Sequence, residues 1–284
     1  MKNLIIYVAL LIPIIGISAT RDQKEIKRSY EVPANGDYHL IVDNIQGDVI
    51  VEGYAGNTIE LVLNITVNAD NQKELDQAME ELELDERKST DELRLRMKAP
   101  FVKYLDNNRF RGGGMQCEGP DYDYAYDYKL RVPVNVKLHA STINDGRIRI
   151  TNMNIIERSG NINGPIFIDG AKETADISTI NGDIDITYAA RPTKDSRFNT
   201  INGDITLELP ADFSAEVQAK SMQGDLFSAF DYERIPPEVK KTEDRKGGTT
   251  RFEIQQTTSV KIGQSEGPRF QFETLNGDMF LKRI

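Results

Sequence analysis

The sequence repeats a short turn motif, Ile-Asn-Gly-Asp or a close variant of it, and this repetition limits the possible folds more than any other feature. Its copies occupy residues 44–49, 142–148, 161–166, 179–186, 200–207, 221–226 and 274–279. Their glycines are Gly47, Gly146, Gly164, Gly182, Gly203, Gly224 and Gly277. From Gly146 to Gly224 the successive intervals are 18, 18, 21 and 21 residues. Self-similarity at such a short period indicates stacked repeats, each one coil of a β-solenoid.

The residues beside each turn alternate between apolar and polar, which is typical of strands with one buried face. Ile184 and Ile186, for example, alternate with Asp183 and Asp185. The Asn-Gly pair supplies the turn, because both residues tolerate positive φ. Turns about 20 residues apart exclude a simple meander, which turns about every 8–12 residues. We therefore predict an all-β chain folded as a single-stranded, right-handed parallel β-helix, since almost all parallel crossovers are right-handed.

Stacking the coils in sequence order, about 4.8 Å apart, places equivalent residues in ladders. Two apolar ladders are predicted inside the solenoid. The first consists of Ile162, Ile180, Ile201 and Met222, and the second of Ile166, Ile184, Ile205 and Leu226.

One solenoid domain is predicted for residues 20–284, with four segments that depart from regular coils. Residues 71–74 have the form of a capping box, which predicts a helix over 71–82 that covers an exposed strand edge. A hairpin is predicted at 83–98, followed by a glycine-rich loop at 99–120. Residues 231–258, which contain Pro236 and Pro237, are predicted to leave the solenoid as a second hairpin.

Residues 121–128 alternate tyrosine with aspartate or alanine. An exposed row of tyrosines would suggest a sugar-binding platform. However, the even positions continue as Leu130, Val132, Val134, Val136 and Leu138. This shared parity favours one long strand, bent near Pro133, that points its tyrosines into the core.

Composition and the first residues indicate an exported protein. The chain has 45 acidic and 35 basic residues and a net charge of −10, so neither nucleic acid nor anionic lipid is an expected partner. An apolar run from Leu4 to Ile17 ends at Ser18-Ala19, which predicts a signal peptide over residues 1–19. An uncleaved membrane anchor is the alternative. The single cysteine, Cys117, excludes an internal disulfide.

The turn aspartates are the candidate metal ligands. Asp183, Asp204 and Asp225 occupy the same place in copies that follow one another in the sequence. A regular stack sets these like charges about 5 Å apart, at a cost of roughly 1 kcal/mol per neighbour. Each carboxylate either accepts a hydrogen bond from a turn amide or contributes to a row of calcium sites. The spacing differs from the known calcium-binding nonapeptide repeat, which favours the hydrogen bond.

Catalytic motifs are absent from the sequence. His39 and His139 lie at polar positions of alternating strands and are interpreted as solvated surface residues. No nucleophile elbow, phosphate-binding loop or Cys-x-x-Cys pair occurs. A polysaccharide-cleaving solenoid could assemble carboxylates from neighbouring coils, but aspartates on nearly every coil are typical of a repeat requirement. We therefore predict no enzyme activity and no cofactor.

The early Asn44–Val49 turn, the Arg131–Pro133 strand that leads into Ser141–Asn144, and the serial Asn-Gly-Asp coils resemble the bacterial putative adhesin family, a domain of unknown function. They are also similar in style to the auto-transporter adhesin head GIN domain. The resemblance covers about residues 30–284, including the closing strand Phe270–Leu281. It implies a right-handed β-solenoid on the secreted side of the cell envelope. It does not assign binding residues to this chain.

Two classes of function remain open. The first is an adhesin-like binding module, secreted or on the cell surface, with a protein or glycan partner. The second is a periplasmic structural or signalling component that acts through protein contacts. A monomer without stable membrane insertion is expected in both cases, because a covered solenoid end disfavours end-to-end growth.

Overall fold

The computed structural model describes residues 20–34, 37–104, 120–236, 239–243, 250–254, 257–263 and 266–284. The predicted signal peptide, Cys117 and most of the predicted loop at 99–120 lie outside the described residues. Within the described part of the chain, no helix is long and apolar enough to cross a membrane.

The described residues form one α-helix, α1 (Gln72–Glu81), and 23 β-strands. The strands are β1 (Thr20–Glu31), β2 (His39–Asp43), β3 (Val49–Tyr54), β4 (Thr58–Ala69), β5 (Glu83–Lys88), β6 (Glu92–Lys98), β7 (Tyr122–Pro133), β8 (Lys137–Ser141), β9 (Ile148–Thr151), β10 (Ile155–Gly160), β11 (Ile166–Ala171), β12 (Glu173–Ser178), β13 (Ile184–Tyr188), β14 (Ser196–Asn199), β15 (Ile205–Leu209), β16 (Ala215–Gln223), β17 (Leu226–Ser228), β18 (Tyr232–Ile235), β19 (Val239–Glu243), β20 (Thr250–Ile254), β21 (Thr258–Ile262), β22 (Arg269–Asn276) and β23 (Met279–Arg283).

The strands form two large sheets and one small one. Sheet A has ten strands in the order β1-β4-β7-β3-β9-β11-β13-β15-β23-β17. Sheet B has 11 strands in the order β18-β21-β16-β22-β14-β12-β10-β8-β2-β6-β5. Strands β19 and β20 pair only with each other. The inward side chains of sheets A and B belong to one apolar core.

The centre of the fold consists of coils, each with a strand in sheet B, an Asn-Gly turn and a strand in sheet A. The coils β8–β9, β10–β11, β12–β13 and β14–β15 stack in sequence order with parallel pairing in both sheets. The repeat therefore predicts this part of the architecture.

The order of the coils changes at both ends of the stack. The C-terminal coil β22–β23 lies between β14–β15 and β16–β17. The early coil β2–β3 lies beside β8–β9. On its other side, β6 pairs with β2 in sheet B and β7 pairs with β3 in sheet A. Stacking in strict sequence order is therefore wrong at the ends, because strands far apart in the sequence complete the two sheets there.

Both sheets are mixed, and this corrects the prediction of a wholly parallel helix. Strands β1 and β4 pair antiparallel, as do β4 and β7 in sheet A. In sheet B the antiparallel pairs are β5 with β6, β16 with β21, and β18 with β21. The edge strands β1 and β5 are rich in charged residues, and β17 has only three residues. Short or charged edges discourage pairing with a further strand.

Helix α1 lies within the predicted range 71–82. Its N-cap is Asn71, whose Oδ1 accepts the backbone N–H of Glu74 at 3.1 Å. Leu75 and Ala78 are buried, and the helix packs against β4, β1 and β7 at one end of the stack. The following hairpin, β5 and β6, differs from the expected excursion, because β6 pairs in parallel with β2 inside sheet B.

The predicted excursion at 231–258 also lies partly within the main fold. Strands β18 and β21 extend sheet B, and only β19 and β20 form a separate hairpin.

The second predicted apolar ladder lies inside the core with one addition. Ile166, Ile184 and Ile205 pair in register and are fully buried. Met279 of the inserted coil then separates Ile205 from Leu226.

The first predicted ladder is wrong, because its side chains point outwards. Ile162 and Ile180 are each 37% exposed, Ile201 is 41% and Met222 is 73%. Ile177 and Thr179 both point inwards, and strand alternation then turns Ile180 to the outside.

The tyrosines of residues 121–128 do face the core. Tyr122, Tyr126 and Tyr128 are buried, and Tyr124 is half-buried. The long strand predicted beyond Pro133 is instead two strands, since β7 ends there in sheet A and β8 begins at Lys137 in sheet B.

Replacing Thr200 by valine should destabilise the stack. The buried Thr200 hydroxyl donates to the Gly182 carbonyl of the neighbouring coil at 3.1 Å, and the isosteric change leaves that carbonyl without its donor. We expect a loss of about 1–2 kcal/mol in the free energy of unfolding, measured by urea denaturation. The control Thr66→Val, on the outer side of β4, should cost less than about 0.5 kcal/mol. Equal losses for the two variants would contradict a role for this hydrogen bond.

Candidate functional site

The turns form one edge of the stack, and their asparagines bond sideways from coil to coil. Asn181 Nδ2 donates to Asn163 Oδ1 at 2.9 Å, and Asn202 donates to Asn181 at 2.8 Å. Asn163 donates to Asn144 at 3.2 Å, and Asn276 donates to Asn202 at 2.8 Å. Among the described non-glycine residues only Asp145 and Asn152 have positive φ, so the prediction of positive φ at the turn asparagines is wrong. Asparagine is needed here for its amide.

The glycines named by the repeat lie where neighbouring coils come closest. A Cβ atom on Gly203 would lie 2.1 Å from the Gly182 oxygen, which no side chain tolerates. The glycine carbonyls accept hydrogen bonds from side chains of the next coil, at 3.0–3.5 Å. The donor and acceptor pairs are Thr142 with Gly47, Thr179 with Gly164, Thr200 with Gly182, and Thr274 with Gly203.

The turn aspartates accept backbone hydrogen bonds across the stack. Asp183 Oδ1 accepts the N–H of Asp204 at 2.9 Å, and Asp204 Oδ1 accepts the N–H of Asp278 at 2.8 Å. Asp225 is therefore separated from Asp204 by Asp278, whose Oδ1 accepts the Asp225 N–H at 2.9 Å. The three predicted calcium ligands do not form one uninterrupted row. The Asp183 and Asp204 carboxylates have the arrangement of the hydrogen-bonding alternative, except that each amide comes from the next coil. Asp225 takes part through its backbone N–H, which donates to Asp278.

The outward isoleucines of the turns form an apolar ridge along the same edge. In stacking order the ridge consists of Ile45, Ile143, Ile162, Ile180, Ile201, Leu275 and Met222. The last five of these side chains are 37–73% exposed, whereas Ile45 and Ile143 are less exposed and Ile45 also packs against the core. A row of exposed aliphatic side chains is typical of an interaction surface.

A groove of about 540 Å³ lies between this ridge and the outer face of sheet B. Ile143 and Ile162 contribute its ridge side, and Ile41, on the outer face of β2, contributes a further apolar surface. The polar lining comes from β2, β6, β8 and β10 and includes Asp43, Arg94, His139, Ser141 and Arg158. Its volume lies within the range of about 300–1,000 Å³ that small-ligand sites occupy.

Of the charged side chains in the groove, Asp43 and Arg94 form an ion pair with each other and Arg158 does not take part in it. Asp43 Oδ2 lies 3.6 Å from Arg94 Nη1, and Asp43 Oδ1 accepts the Ser141 hydroxyl at 3.2 Å. Burial raises the pKa of Asp43, although the Arg94 guanidinium opposes this rise. Arg158 is exposed and makes no ion pair with any described residue. Among the described residues that line the groove, Arg158 is therefore the cation available to an anionic group.

A cluster of three titratable side chains shares His139 with the groove. His139 Nε2 lies 2.8 Å from Glu157 Oε2, and His39 Nδ1 lies 3.3 Å from the same oxygen. The two rings meet edge to face, with centroids 5.9 Å apart. These residues are half-buried, and their nitrogen and oxygen atoms could hold a metal ion.

Sequence reasoning missed this cluster, since it interpreted both histidines as isolated surface residues. The three residues meet because β2 pairs with β8 across about 100 residues of sequence, and β8 pairs with β10. A register shift between Ile156 and Arg158 relative to β8 marks a β-bulge at Glu157. No local motif signals such a pairing.

The surroundings of Glu157 favour its charged form. Burial acts to raise the pKa of Glu157, but the His139 hydrogen bond and the charges of His39 and Lys137 outweigh it and lower that pKa. Lys137 Nζ lies 3.6 Å from Glu157 Oε1 and 2.6 Å from Asp37 Oδ1.

A family model described as Toastrack DUF4097 matches residues 133–268, slightly less than half of the chain. The match covers the stacked coils from β8 to β21. It is a match to the Toastrack model and not to the adhesin head GIN domain that the turns resemble. Among curated proteins, none matches this chain.

Three solved structures are similar over 92% of this chain. A putative cell adhesion protein from Clostridium sporogenes is 11% identical, with 100% of that chain covered and a TM-score of 0.43. A putative adhesin from Bacteroides fragilis is 10% identical, with 97% covered and a TM-score of 0.34. A putative lipid binding protein from Parabacteroides distasonis is 12% identical, with 96% covered and a TM-score of 0.30. At these identities the similarity does not extend to a shared ligand.

Replacing Glu157 by glutamine should reduce stability in a pH-dependent way. A lowered pKa in the folded state contributes stability above the unfolded value, near 4.5, and this contribution is lost as the pH falls through the folded value. In the presence of EDTA we expect the wild type to be more stable than Glu157→Gln at pH 7 by less than about 1 kcal/mol, because the pairs are half-exposed. The difference should shrink below pH 4.5. Urea denaturation at several pH values measures it, and a difference that grows below pH 4.5 would contradict the assignment.

Proposed function

We propose that this chain is an exported, non-enzymatic binding module of the adhesin type, and that its ligand lies in the groove between the apolar ridge and sheet B. The observation that carries the proposal is the groove itself, which combines aliphatic side chains with Arg158, an exposed arginine that has no ion-pair partner among the described residues. A rigid stack of strands would hold these groups in place with little loss of entropy on binding.

The lining favours a ligand with a carboxylate beside an apolar surface. Arginine binds carboxylates through two parallel hydrogen bonds, and Arg158 is free to do so. Ile41, Ile143 and Ile162 offer apolar contact to the ring carbons of a sugar or to an aliphatic side chain. Since the chain has a net charge of −10, a ligand with isolated carboxylates suits it better than a polyanion. A carboxylated glycan is the first choice, and a protein surface is the alternative.

A binding role also agrees with the contacts of the turn carboxylates, which are the groups that a polysaccharide-cleaving site could have used. The turn aspartates Asp183, Asp204 and Asp278 accept backbone N–H groups of neighbouring coils. Such carboxylates stabilise the stack and are poorly placed for acid–base chemistry on a polysaccharide.

A periplasmic structural or signalling role is the second candidate, and the apolar ridge favours it. A row of aliphatic side chains, five of them 37–73% exposed, suits contact with another protein. Charged edge strands oppose end-to-end stacking of copies, which supports a monomer. Protease treatment of intact cells that carry the chain separates the two candidates, since only a surface-exposed chain is cut before lysis.

Reversing the charge at Arg158 should abolish binding to a carboxylated glycan. The labelled full chain is applied to an array of neutral, sialylated and uronic-acid glycans, beside Arg158→Glu and the control Arg149→Glu. Arg149 lies on the outer face of sheet A, so the control makes the same charge change away from the groove.

We expect at least one carboxylated glycan to bind the wild type and Arg149→Glu, and to bind Arg158→Glu at least about tenfold more weakly. Equal loss in both arginine variants would contradict binding in the groove. No binding of the wild type to any glycan would contradict the glycan proposal and favour protein contacts.

A further inference from the structure

We propose that His39, His139 and Glu157 bind one divalent transition-metal ion, with Zn²⁺ as the best match. The proposal goes beyond the binding function above and does not depend on it. Two imidazoles and one carboxylate form a ligand set that zinc accepts, whereas calcium and magnesium prefer sites built from oxygen alone.

Two of the three distances among the candidate ligand atoms are near those of a zinc site, and the third is no longer than 4.8 Å. Zinc lies about 2.0–2.1 Å from nitrogen and oxygen ligands, so ligand atoms of a tetrahedral site are about 3.3 Å apart. His39 Nδ1 lies 3.3 Å and His139 Nε2 lies 2.8 Å from Glu157 Oε2. All the ligand atoms lie within 4.8 Å of one another. Small rotations of half-exposed side chains would complete the site.

The three residues are held by neighbouring strands of one sheet. Strand β8 pairs with β2 on one side and with β10 on the other. The β-bulge at Glu157 leaves two residues of β10, Glu157 and Arg158, opposite His139 alone. Ligands on paired strands are positioned more accurately than ligands on loops, which favours a built site over a chance meeting of surface groups.

One neighbouring cation opposes metal binding, and this makes the proposal easier to test. The Lys137 ammonium lies 3.6 Å from Glu157 Oε1 and competes with a metal for its charge. Asp37, at 2.6 Å, is a second acceptor that can hold the ammonium aside. A neutral side chain at position 137 should therefore tighten metal binding. A network of surface ion pairs without a metal site predicts no such gain.

Three protein ligands leave a position of a four-coordinate zinc ion open. His139 lines the groove as well as the cluster, so the open position would be near the proposed ligand site. A bound metal could then contribute directly to the capture of a carboxylate.

Calorimetric titration with Zn²⁺ tests the site on the full chain, carrying no polyhistidine tag. We expect one Zn²⁺ per chain, with at least about tenfold weaker binding in His39→Ala, His139→Ala and Glu157→Gln. The control Asp176→Asn makes the same carboxylate-to-amide change on the adjacent strand β12 and should bind as the wild type does. Lys137→Met should bind several-fold more tightly.

Co²⁺ supplies a second readout, because its visible absorption reports nitrogen and oxygen ligands directly. The fold of each variant is first compared with that of the wild type by circular dichroism without metal. If the alanine variants fail to fold, Glu157→Gln and Lys137→Met still test the site, because these changes nearly preserve side-chain size. Absence of Zn²⁺ binding by the wild type would overturn the proposal. Binding that is equal in the wild type, Glu157→Gln and Lys137→Met would also overturn it, since the ion would then lie elsewhere.

Discussion

Hydrogen bonds between neighbouring coils at the turns are the interactions on which this fold depends. A threonine hydroxyl donates to the glycine carbonyl of the next coil, an asparagine amide bonds to its counterpart, and an aspartate accepts a backbone N–H. An isolated coil would leave the buried threonine hydroxyl and the glycine carbonyl without each other, and buried polar groups without partners are costly. The exposed asparagine and aspartate groups would bond to water instead. The Thr-Ile-Asn-Gly-Asp repeat therefore encodes the contact between coils as well as the turn itself.

The same interactions determine which surfaces are available for binding. Because Thr179 must point inwards to reach Gly164, the next residue, Ile180, must point outwards. Repetition of this geometry builds the apolar ridge, and the outer face of sheet B meets the ridge at the groove. The candidate binding surface is thus a consequence of the stacking motif, and neighbouring strands of sheet B supply the arginines and the histidine that line the groove.

The sequence predicts the local elements of the structure better than their order. The repeat predicts the parallel coils, the capping box predicts α1, and the parity of Tyr122 to Tyr128 predicts a largely buried face. The insertion of β22–β23 before β16–β17 and the pairing of β2 with β8 depend on long-range contacts, which leave no local periodicity. The cluster of His39, His139 and Glu157 was missed for the same reason, since that pairing brings His39 to His139. The outward isoleucines could have been predicted, had the threonine been recognised as the inward residue.

Disulfide formation between cysteines placed at the turns tests the stacking order most directly. In a Cys117→Ser background, Asn202→Cys with Asn276→Cys places two cysteines on neighbouring coils. Their Cα atoms are then about 4.8 Å apart, which is within the range that a disulfide spans. Asn202→Cys with Gln223→Cys places them two coils apart, at roughly twice that distance. Non-reducing electrophoresis after mild oxidation should show the first pair linked and the second not. Linkage of residues 202 and 223 alone would mean that the coils stack in sequence order, and it would contradict this account of the fold.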